Sequence, residues 1–248
     1  MKDRDGTHAL YRARDFRFFI SGRFLSTIAM QVQSVAIGWQ IYAITHSTLA
    51  LGVVGLCQFV PMFLFTLPAG DISDRVDQRK VFGASLALQG VSSALFLSLT
   101  LMHVSAVLPF YGVLVLFGAA RGFSGPSGQS LIAFLVPSAK LSRAIAASSS
   151  AFTTAVIAGP ALGGFLYALG PVPTYAVCVA GYFAAAAIMA TLGGRRKSEA
   201  LSDASRLARV VEGIRFVRAR PVVLGAISLD LFAVLLGGAV ALLPVYAR

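Results

Sequence analysis

Long apolar runs separated by short charged segments are the feature that most constrains this chain. Thr48–Ala69 and Val81–Ala120 contain no Asp, Glu, Lys or Arg, whereas six of the eleven residues in Gly70–Lys80 are charged. Because the hydrocarbon core of a bilayer is about 30 Å thick, a helix needs about 20 apolar residues to cross it. Only 12% of the residues are charged, compared with about 25% in a soluble domain. The sequence therefore predicts an all-α membrane protein.

Seven segments are long and apolar enough to be transmembrane helices: Phe18–Ile44, Thr48–Ala69, Val81–Met102, Val107–Val136, Ala144–Leu169, Val172–Leu192 and Val222–Ala247. The first of them is too long, and starts too late, for a cleaved signal peptide. The predicted organisation is a basic arm at 1–17, a six-helix bundle at 18–192, a basic amphipathic linker at 193–221 and the first helix of a further bundle at 222–248.

The basic residues predict the orientation of these spans. Of the 21 Lys and Arg residues, 18 lie in the arm or in the segments after the second, fourth and sixth spans, and none lies between the other spans. Lys and Arg concentrate in cytoplasmic loops. We therefore expect a multi-pass protein of the inner, or cell, membrane with a cytoplasmic N-terminus.

This distribution also excludes other classes of protein. A net charge of +11 would suit a nucleic-acid partner, but the alternation of the basic residues between loops has a topological explanation, so no nucleic acid is expected. Cys57 and Cys178 both fall inside spans, where apolar packing is the simpler interpretation. The three histidines have no metal-ligand spacing, and neither a metal nor a cofactor is predicted.

The charged stretch Gly70–Lys80 is predicted to be a cytoplasmic loop. Basic residues hold such a loop inside, but acidic residues contribute little to topology, so Asp71, Asp74 and Asp77 need another explanation. We interpret the loop as a salt-bridged contact between helices. We call this contact the latch, and its residues are Gly70, Asp74, Arg75, Arg79 and Lys80.

The spacing of these residues resembles the loop motif of the major facilitator superfamily, in which Gly is followed by Asp-Arg and a basic cluster. Asp77 stands where many members have Gly, and Gln78 where many have Arg. The Asp resembles the bacterial exporter branch that includes enterobactin exporters. The resemblance implies that the loop locks one conformation of a rocking transporter.

Two further stretches resemble motifs of the same family. "ARGFSGPSGQSL" in the fourth span is similar to the intramembrane arginine motif, with Arg121 as the arginine. "AGPALGGFL" in the fifth span is similar to the antiporter motif, with Gly159, Pro160, Gly163 and Gly164. Members of the family usually have twelve spans, so the seven found here imply an N-terminal half plus one span of a major-facilitator-type helical bundle.

The fifth span also has a stripe of small residues at intervals of four: Ala147, Ala151, Ala155, Gly159 and Gly163. Small residues let another helix approach closely in a membrane, and Pro160 removes a backbone donor and is expected to bend the helix. The stripe is interpreted as a helix-packing surface, which is compatible with a gating contact.

Polar residues inside the spans are candidates for a cavity or for proton coupling. Arg121 and Asp230 lie deep in the fourth and seventh spans, and Arg23 and Gln31 lie in the first. A charge at the centre of a membrane helix costs at least about 2.5–3.5 kcal/mol, so it normally faces a cavity or a partner. Asp230 could load and release a proton, or it could form a structural hydrogen bond. Arg23 is shallow enough to reach the membrane surface.

The function that fits these features is secondary active transport, with protons as the coupling ion and export of a small drug-like or siderophore-like molecule. An intramembrane protease is disfavoured because "GPSG" at 125–128 lacks a histidine base on a later span. A seven-span receptor requires an outside N-terminus, which the basic arm contradicts. We therefore expect a transporter and not an enzyme, with the bilayer, a small molecule and protons as its partners.

Overall fold

The computed structural model describes residues 2–137 and 140–192, together with Gly225, Ser228 and Leu229; for residues 2–13, 67, 71, 73–75 and 133 it describes the backbone alone. The chain divides into two compact units, Met1–Ser198 and Glu199–Arg248, and the fold below is that of the first. The predicted linker lies outside the described residues, as does the predicted seventh span apart from the three single positions. Asp230 lies outside them too.

Helices make up the described part of the first unit. They are α1 (Lys2–Thr45), α2 (Thr48–Arg75), α3 (Gln78–Leu101), α4 (Leu108–Leu135), α5 (Leu141–Ala168) and α6 (Pro171–Ala190). Short connections make consecutive helices antiparallel. Gly170, which joins α5 to α6 at φ +119°, has a conformation that side-chain-bearing residues rarely adopt.

Five of these helices, α2 to α6, are long and apolar enough to cross a membrane. They coincide with the second to sixth predicted spans, so the prediction of a multi-pass helical protein is confirmed for this part of the chain. The first predicted span lies within α1, which is not among the five. Its apolar run is interrupted by Gln31, Gln33 and Gln40, which lower its hydropathy.

Five strong helix–helix contacts build the bundle. α1 packs on α5 and α6, α3 packs on α4 and α6, and α2 packs on α4. At the end of the bundle where α2 is joined to α3 and α4 to α5, which we call the basic end, Phe19 lies against Phe82. At the opposite end Phe96 stacks between Phe110 and Tyr175. These aromatic contacts place α3 at the centre of the packing.

Glycines on one face of α4 allow close approach of α2. A Cβ atom at Gly118 would collide with the backbone carbonyl of Gln58, and one at Gly122 would lie 2.9 Å from the carbonyl oxygen of Met62. Small residues four apart are typical of tight helix pairs in membranes, where close packing replaces the hydrophobic effect as the force between helices. The sequence analysis missed the Gly118–Gly122 pair, although its GxxxG spacing is a recognisable signal.

Two of the three glutamines of α1, Gln33 and Gln40, form hydrogen bonds with α3. Gln33 is fully buried, and its Oε1 accepts a hydrogen bond from the Ser93 hydroxyl. Nearer the opposite end, Gln40 Nε2 donates to Thr100 Oγ1 at 3.0 Å. Amide and hydroxyl groups that are shielded from water can form hydrogen bonds only with other groups of the protein. The polar residues that reduce the hydropathy of α1 therefore help to fix its register on α3.

The outer face of α2 carries large apolar side chains that are mostly exposed. Leu56 is 60% exposed and Phe63 is 62% exposed, and Phe59 stacks on Phe63 at a centroid distance of 5.9 Å. Monomeric soluble proteins rarely expose a contiguous apolar surface of this kind. The face is suited to lipid or to another helical bundle.

The α2–α4 contact gives a direct test of the packing. Gly118→Ala is expected to destabilise the protein by about 1–3 kcal/mol, the usual effect of overpacking, because its new methyl group meets the backbone of Gln58. Gly112→Ala is the matched control, since it lies on the same helix and a methyl group there would have no atom within 4 Å. Thermal unfolding of the detergent-purified variants measures both, and equal melting temperatures would contradict the close contact.

Candidate functional site

The charged stretch at the basic end is mostly helical, and the expectation of a loop from Gly70 to Lys80 is wrong. α2 continues to Arg75 and α3 begins at Gln78, so only Val76 and Asp77 connect them. The Val76 N–H donates to the Ile72 carbonyl at 2.8 Å and ends α2. The expectation failed because charged residues are common at the ends of helices as well as in loops, so polarity alone does not distinguish the two.

Asp77 starts α3. Its Oδ1 accepts a hydrogen bond from the Arg79 N–H at 3.1 Å, as an N-cap residue does, and such a cap contributes about 1 kcal/mol. The side chain also places negative charge at the positive end of the helix dipole. A Gly at this position would leave the donor without a side-chain acceptor, so Asp77 has a structural role that the sequence analysis did not assign.

Arg79 joins α3 to the end of α6. Its Nη1 donates to the Leu192 carbonyl oxygen at 3.2 Å, and cations are favoured near the carbonyl-rich C-terminal end of a helix. The two helices border an open groove of about 530 Å³, with charged side chains at its rim and small apolar residues along its walls. Its lining residues are Asp77, Arg79, Lys80, Gly83, Ala84, Ala87, Ala186, Met189, Ala190 and Leu192.

The other latch residues are placed less completely. Gly70 lies in α2, where an added Cβ atom would have no neighbour within 4 Å, and Lys80 is exposed in the first turn of α3. Asp74 and Arg75 belong to the last turn of α2, and their side chains lie outside the described part of the molecule. The contacts that the latch requires of Asp74 and Arg75 therefore remain predictions.

Arg121 occupies the middle of α4 and faces α2. Its Nη1 donates to Gln58 Oε1 at 3.3 Å, and its guanidinium carbon lies 5.9 Å from the centroid of Phe117. Phe117 in turn contacts Tyr182 of α6 edge-on, at 6.1 Å between ring centroids. The glycine contact between α2 and α4 brings Gln58 within reach, so one feature of the packing positions the partner of the arginine.

Arg23 and Gln31 join α1 to α5. Arg23 Nη1 donates to the Ser148 hydroxyl at 3.1 Å, and its guanidinium carbon lies 5.7 Å from the centre of the Phe152 ring. Gln31 Nε2 lies 3.4 Å from the carbonyl oxygen of Val156. Arg23 therefore has a hydrogen-bond partner on the neighbouring helix.

The predicted small-residue stripe of α5 forms the contact with α1 in part. A Cβ at Gly159 would overlap the Gln31 side chain, and one at Gly163 would lie 3.0 Å from Val35 Cβ. The helix continues through Pro160, and the predicted bend stays a prediction.

One residue of this stripe, Ala147, and one residue of the antiporter-like motif, Gly164, lie elsewhere. Ala147 is exposed, and the buried face instead continues through Ser148 and Ala144. Intervals of four drift around a helix by about 40° per step, which moves Ala147 off the face defined by Gly159. Gly164, one residue from Gly163, is exposed, and a Cβ atom there would have no neighbour within 4 Å, so it takes no part in the α1–α5 contact.

The described side chains bring together hydrogen-bonding groups and no metal site. No group of three or more His, Cys, Asp or Glu residues in the described part of the chain is placed to hold a metal ion. Arg121 and Gln58 on one side of the bundle, and Arg23, Gln31 and Ser148 on another, are the intramembrane polar contacts that involve predicted site residues. Such groups bind and orient a molecule, and none of them is a nucleophile activated by a base.

Comparison with known families identifies the fold to which this bundle belongs. Residues 5–248, nearly the entire chain, match the family model MFS_3, described as a transmembrane secretion effector. The match includes α1 to α6 and the segments that resemble the major facilitator motifs.

Several curated relatives are transporters. The multidrug efflux pump Tap of Mycolicibacterium fortuitum is 29% identical over 211 residues, which are 80% of this chain and 51% of that protein. The enterobactin exporter EntS of Salmonella typhimurium is 29% identical over 175 residues, covering 68% and 41%. The staphyloferrin A transporter of Staphylococcus aureus is 23% identical over 162 residues, covering 64% and 40%.

The chain matches about half the length of these relatives or less, and the matched part contains the described bundle. The relatives are transporters and not enzymes, as the sequence motifs indicated. The helical architecture, the five helices able to cross a membrane and the family model agree. The chain belongs to the MFS_3 family of transmembrane secretion effectors, within the major facilitator superfamily.

Proposed function

We propose that this chain is the N-terminal part of a secondary active exporter that moves small drug-like or siderophore-like molecules out of the cell in exchange for protons. The observation that carries the proposal is the coincidence of two features. The chain is similar to an efflux pump and to a siderophore exporter, and its bundle holds a half-buried arginine, Arg121, at mid-span beside a neutral amide. No phosphate-binding loop occurs in the sequence to support ATP-driven transport.

In this proposal the six-helix bundle moves as one half of a rocking transporter. Transporters of this superfamily bind substrates near the bilayer midplane between their two halves. Arg121, Arg23 and Gln31 are the candidate residues for the cavity or for coupling. The candidate gate is the α1–α5 contact, with the motif residues Gly159, Pro160 and Gly163; the fourth motif residue, Gly164, is exposed and lies outside that contact.

The proposed membrane is the inner, or cell, membrane, with the N-terminus in the cytoplasm. The reason is the confinement of 18 of the 21 basic residues to alternate segments. A reporter that is active only in the cytoplasm should give signal when it is fused after Leu192 and none when it is fused after Gly170. The opposite pattern of signals would contradict this orientation.

The latch of Gly70, Asp74, Arg75, Arg79 and Lys80 is proposed to stabilise one conformation of the transporter. Asp74→Asn in the full-length protein should reduce transport strongly while membrane insertion is retained, because it removes an acidic charge that topology does not require. Asp71→Asn is the matched control, since it makes the same change one turn earlier on α2. Transport by the Asp74 variant at the rate of the control would exclude the latch role.

Proton coupling is proposed to depend on Asp230, the carboxyl group of the predicted seventh span. A group that loads and releases protons must have a pKa near the working pH. In proteoliposomes with an imposed pH gradient, a trapped pH-sensitive dye follows proton movement while a panel of drug-like and siderophore-like molecules is supplied.

Asp230→Asn should abolish the response of efflux to the gradient and leave substrate binding measurable, whereas Arg121→Ala should impair both. Asp203→Asn, in the predicted linker, controls for loss of one acidic charge. If the Asp230 variant responds to the gradient as the wild type does, the coupling proton is bound elsewhere.

A further inference from the structure

The membrane-spanning part of the bundle contains cationic side chains and no carboxyl group. Between Phe16 and Gly70, and again between Gln78 and Ser198, the sequence has no Asp or Glu. Arg23 and Arg121 lie within these stretches, inside α1 and α4. The charge that this bundle presents within the membrane is therefore positive and is not balanced by its own acidic residues.

Arg121 is the more deeply placed of the two arginines. It is the fourteenth of the 28 residues of α4, which is the middle of the helix. Arg23 is one turn from Phe19, whose ring contacts Phe82 in the second turn of α3 at the basic end. A long side chain so near the end of a span can extend its charged group to the membrane surface. Arg121 lies too deep in α4 for its side chain to do so.

The side chains around Arg121 are neutral. The guanidinium donates one hydrogen bond to Gln58 Oε1 and lies near the ring of Phe117. A guanidinium carries five N–H donors, so this arrangement leaves most of its hydrogen-bonding capacity unused. The hydroxyl of Tyr182, whose ring contacts the same Phe117, is buried and has no hydrogen-bond partner among the described residues.

A half-buried cation in such surroundings is suited to bind an anion. A planar guanidinium recognises a carboxylate through two parallel hydrogen bonds, and these bonds are strongest where water is scarce. An uncharged molecule would offer the free donors only a neutral acceptor, which forms a weaker hydrogen bond than a carboxylate does.

We propose that Arg121 binds the anionic group of the transported molecule, so that the substrates of this protein are organic carboxylates. The inference rests on the proposed export function, and it adds to that function the chemical class of the cargo. Gln58 holds the guanidinium in place while the site is empty, and the carboxylate takes up the donors that Gln58 leaves free.

Binding to the purified full-length protein in detergent tests this proposal without any transport. The probes are 2-naphthoate and benzoate, each compared with its amide, which has nearly the same shape and no charge. Both carboxylates should raise the melting temperature and bind at least about tenfold more tightly than their amides, the difference expected for a charge-assisted pair. Equal binding of acid and amide, or no binding of either carboxylate, would overturn the proposal.

Variants separate this role from a purely structural one. Arg121→Gln should remove the preference for carboxylate over amide, and Arg121→Lys should restore part of it, because a lysine keeps the charge and lacks the planar fork. Arg143→Gln is the control, since Arg143 is exposed near the start of α5. A wild-type preference in Arg121→Gln, or its loss in Arg143→Gln, would contradict the assignment.

Gln58→Leu distinguishes anion binding from helix pairing. If Arg121 serves only to join α4 to α2, then Gln58→Leu and Arg121→Gln should lower the melting temperature alike and leave carboxylate binding unchanged, which would contradict the proposal. If Arg121 binds the substrate, the Gln58 variant retains the preference for carboxylates. Loss of gradient-driven transport with carboxylate binding intact would count against the proposed function and not against this inference.

Discussion

Close backbone contact between helices is the interaction on which the rest of this bundle depends. Lipid is as apolar as the helix surfaces, so helices in a membrane gain little by hiding apolar side chains and must instead pack tightly. Gly118 and Gly122 bring α2 against α4, and Gly159 and Gly163 bring α1 against α5. Each contact also places a polar pair within reach: Gln58 with Arg121 in the first case, Gln31 with Val156 in the second.

Because water is absent from the inside of the bundle, polar side chains there form hydrogen bonds with one another. Gln33 and Gln40 meet Ser93 and Thr100 across the α1–α3 contact, and this gives α1 a fixed register although it is less apolar than its neighbours. Arg121 differs from these residues because it carries a charge, has one neutral acceptor and is only half-buried, whereas Gln33 and Gln40 are neutral and buried. The charge and the partial exposure are why Arg121 and not the glutamines carries the binding proposal.

The basic end combines structural and proposed functional roles in few residues. Asp77 caps α3, and Arg79 connects the same helix to the carbonyl of Leu192, two residues beyond the end of α6. These contacts hold the start of α3 firmly, next to the α2 turn that carries Asp74 and Arg75. A fixed α3 gives the proposed latch a rigid base, so a change in the partners of Asp74 could be transmitted to the bundle.

The sequence by itself determined that the chain is helical, that it spans a membrane several times and which superfamily it belongs to. Those properties depend on the length of the apolar segments and on local motifs such as the one around Asp74 and Arg75. Segment lengths and local motifs can both be read directly from the amino-acid sequence. It also identified Gly159 and Gly163 as packing residues, because small side chains on one helix face have few other uses in a membrane.

Tertiary structure alone decided which residues meet. Nothing in the sequence pairs Gln58 with Arg121, Ser148 with Arg23 or Leu192 with Arg79, since each pair is more than 60 residues apart. The drift of a 3.6-residue helix removed Ala147 from a face that counting by fours had suggested. The charged Gly70–Lys80 stretch was predicted to be a loop because polar residues indicate exposure to solvent, which helix ends and loops share. Only the backbone hydrogen bonds show where a helix ends.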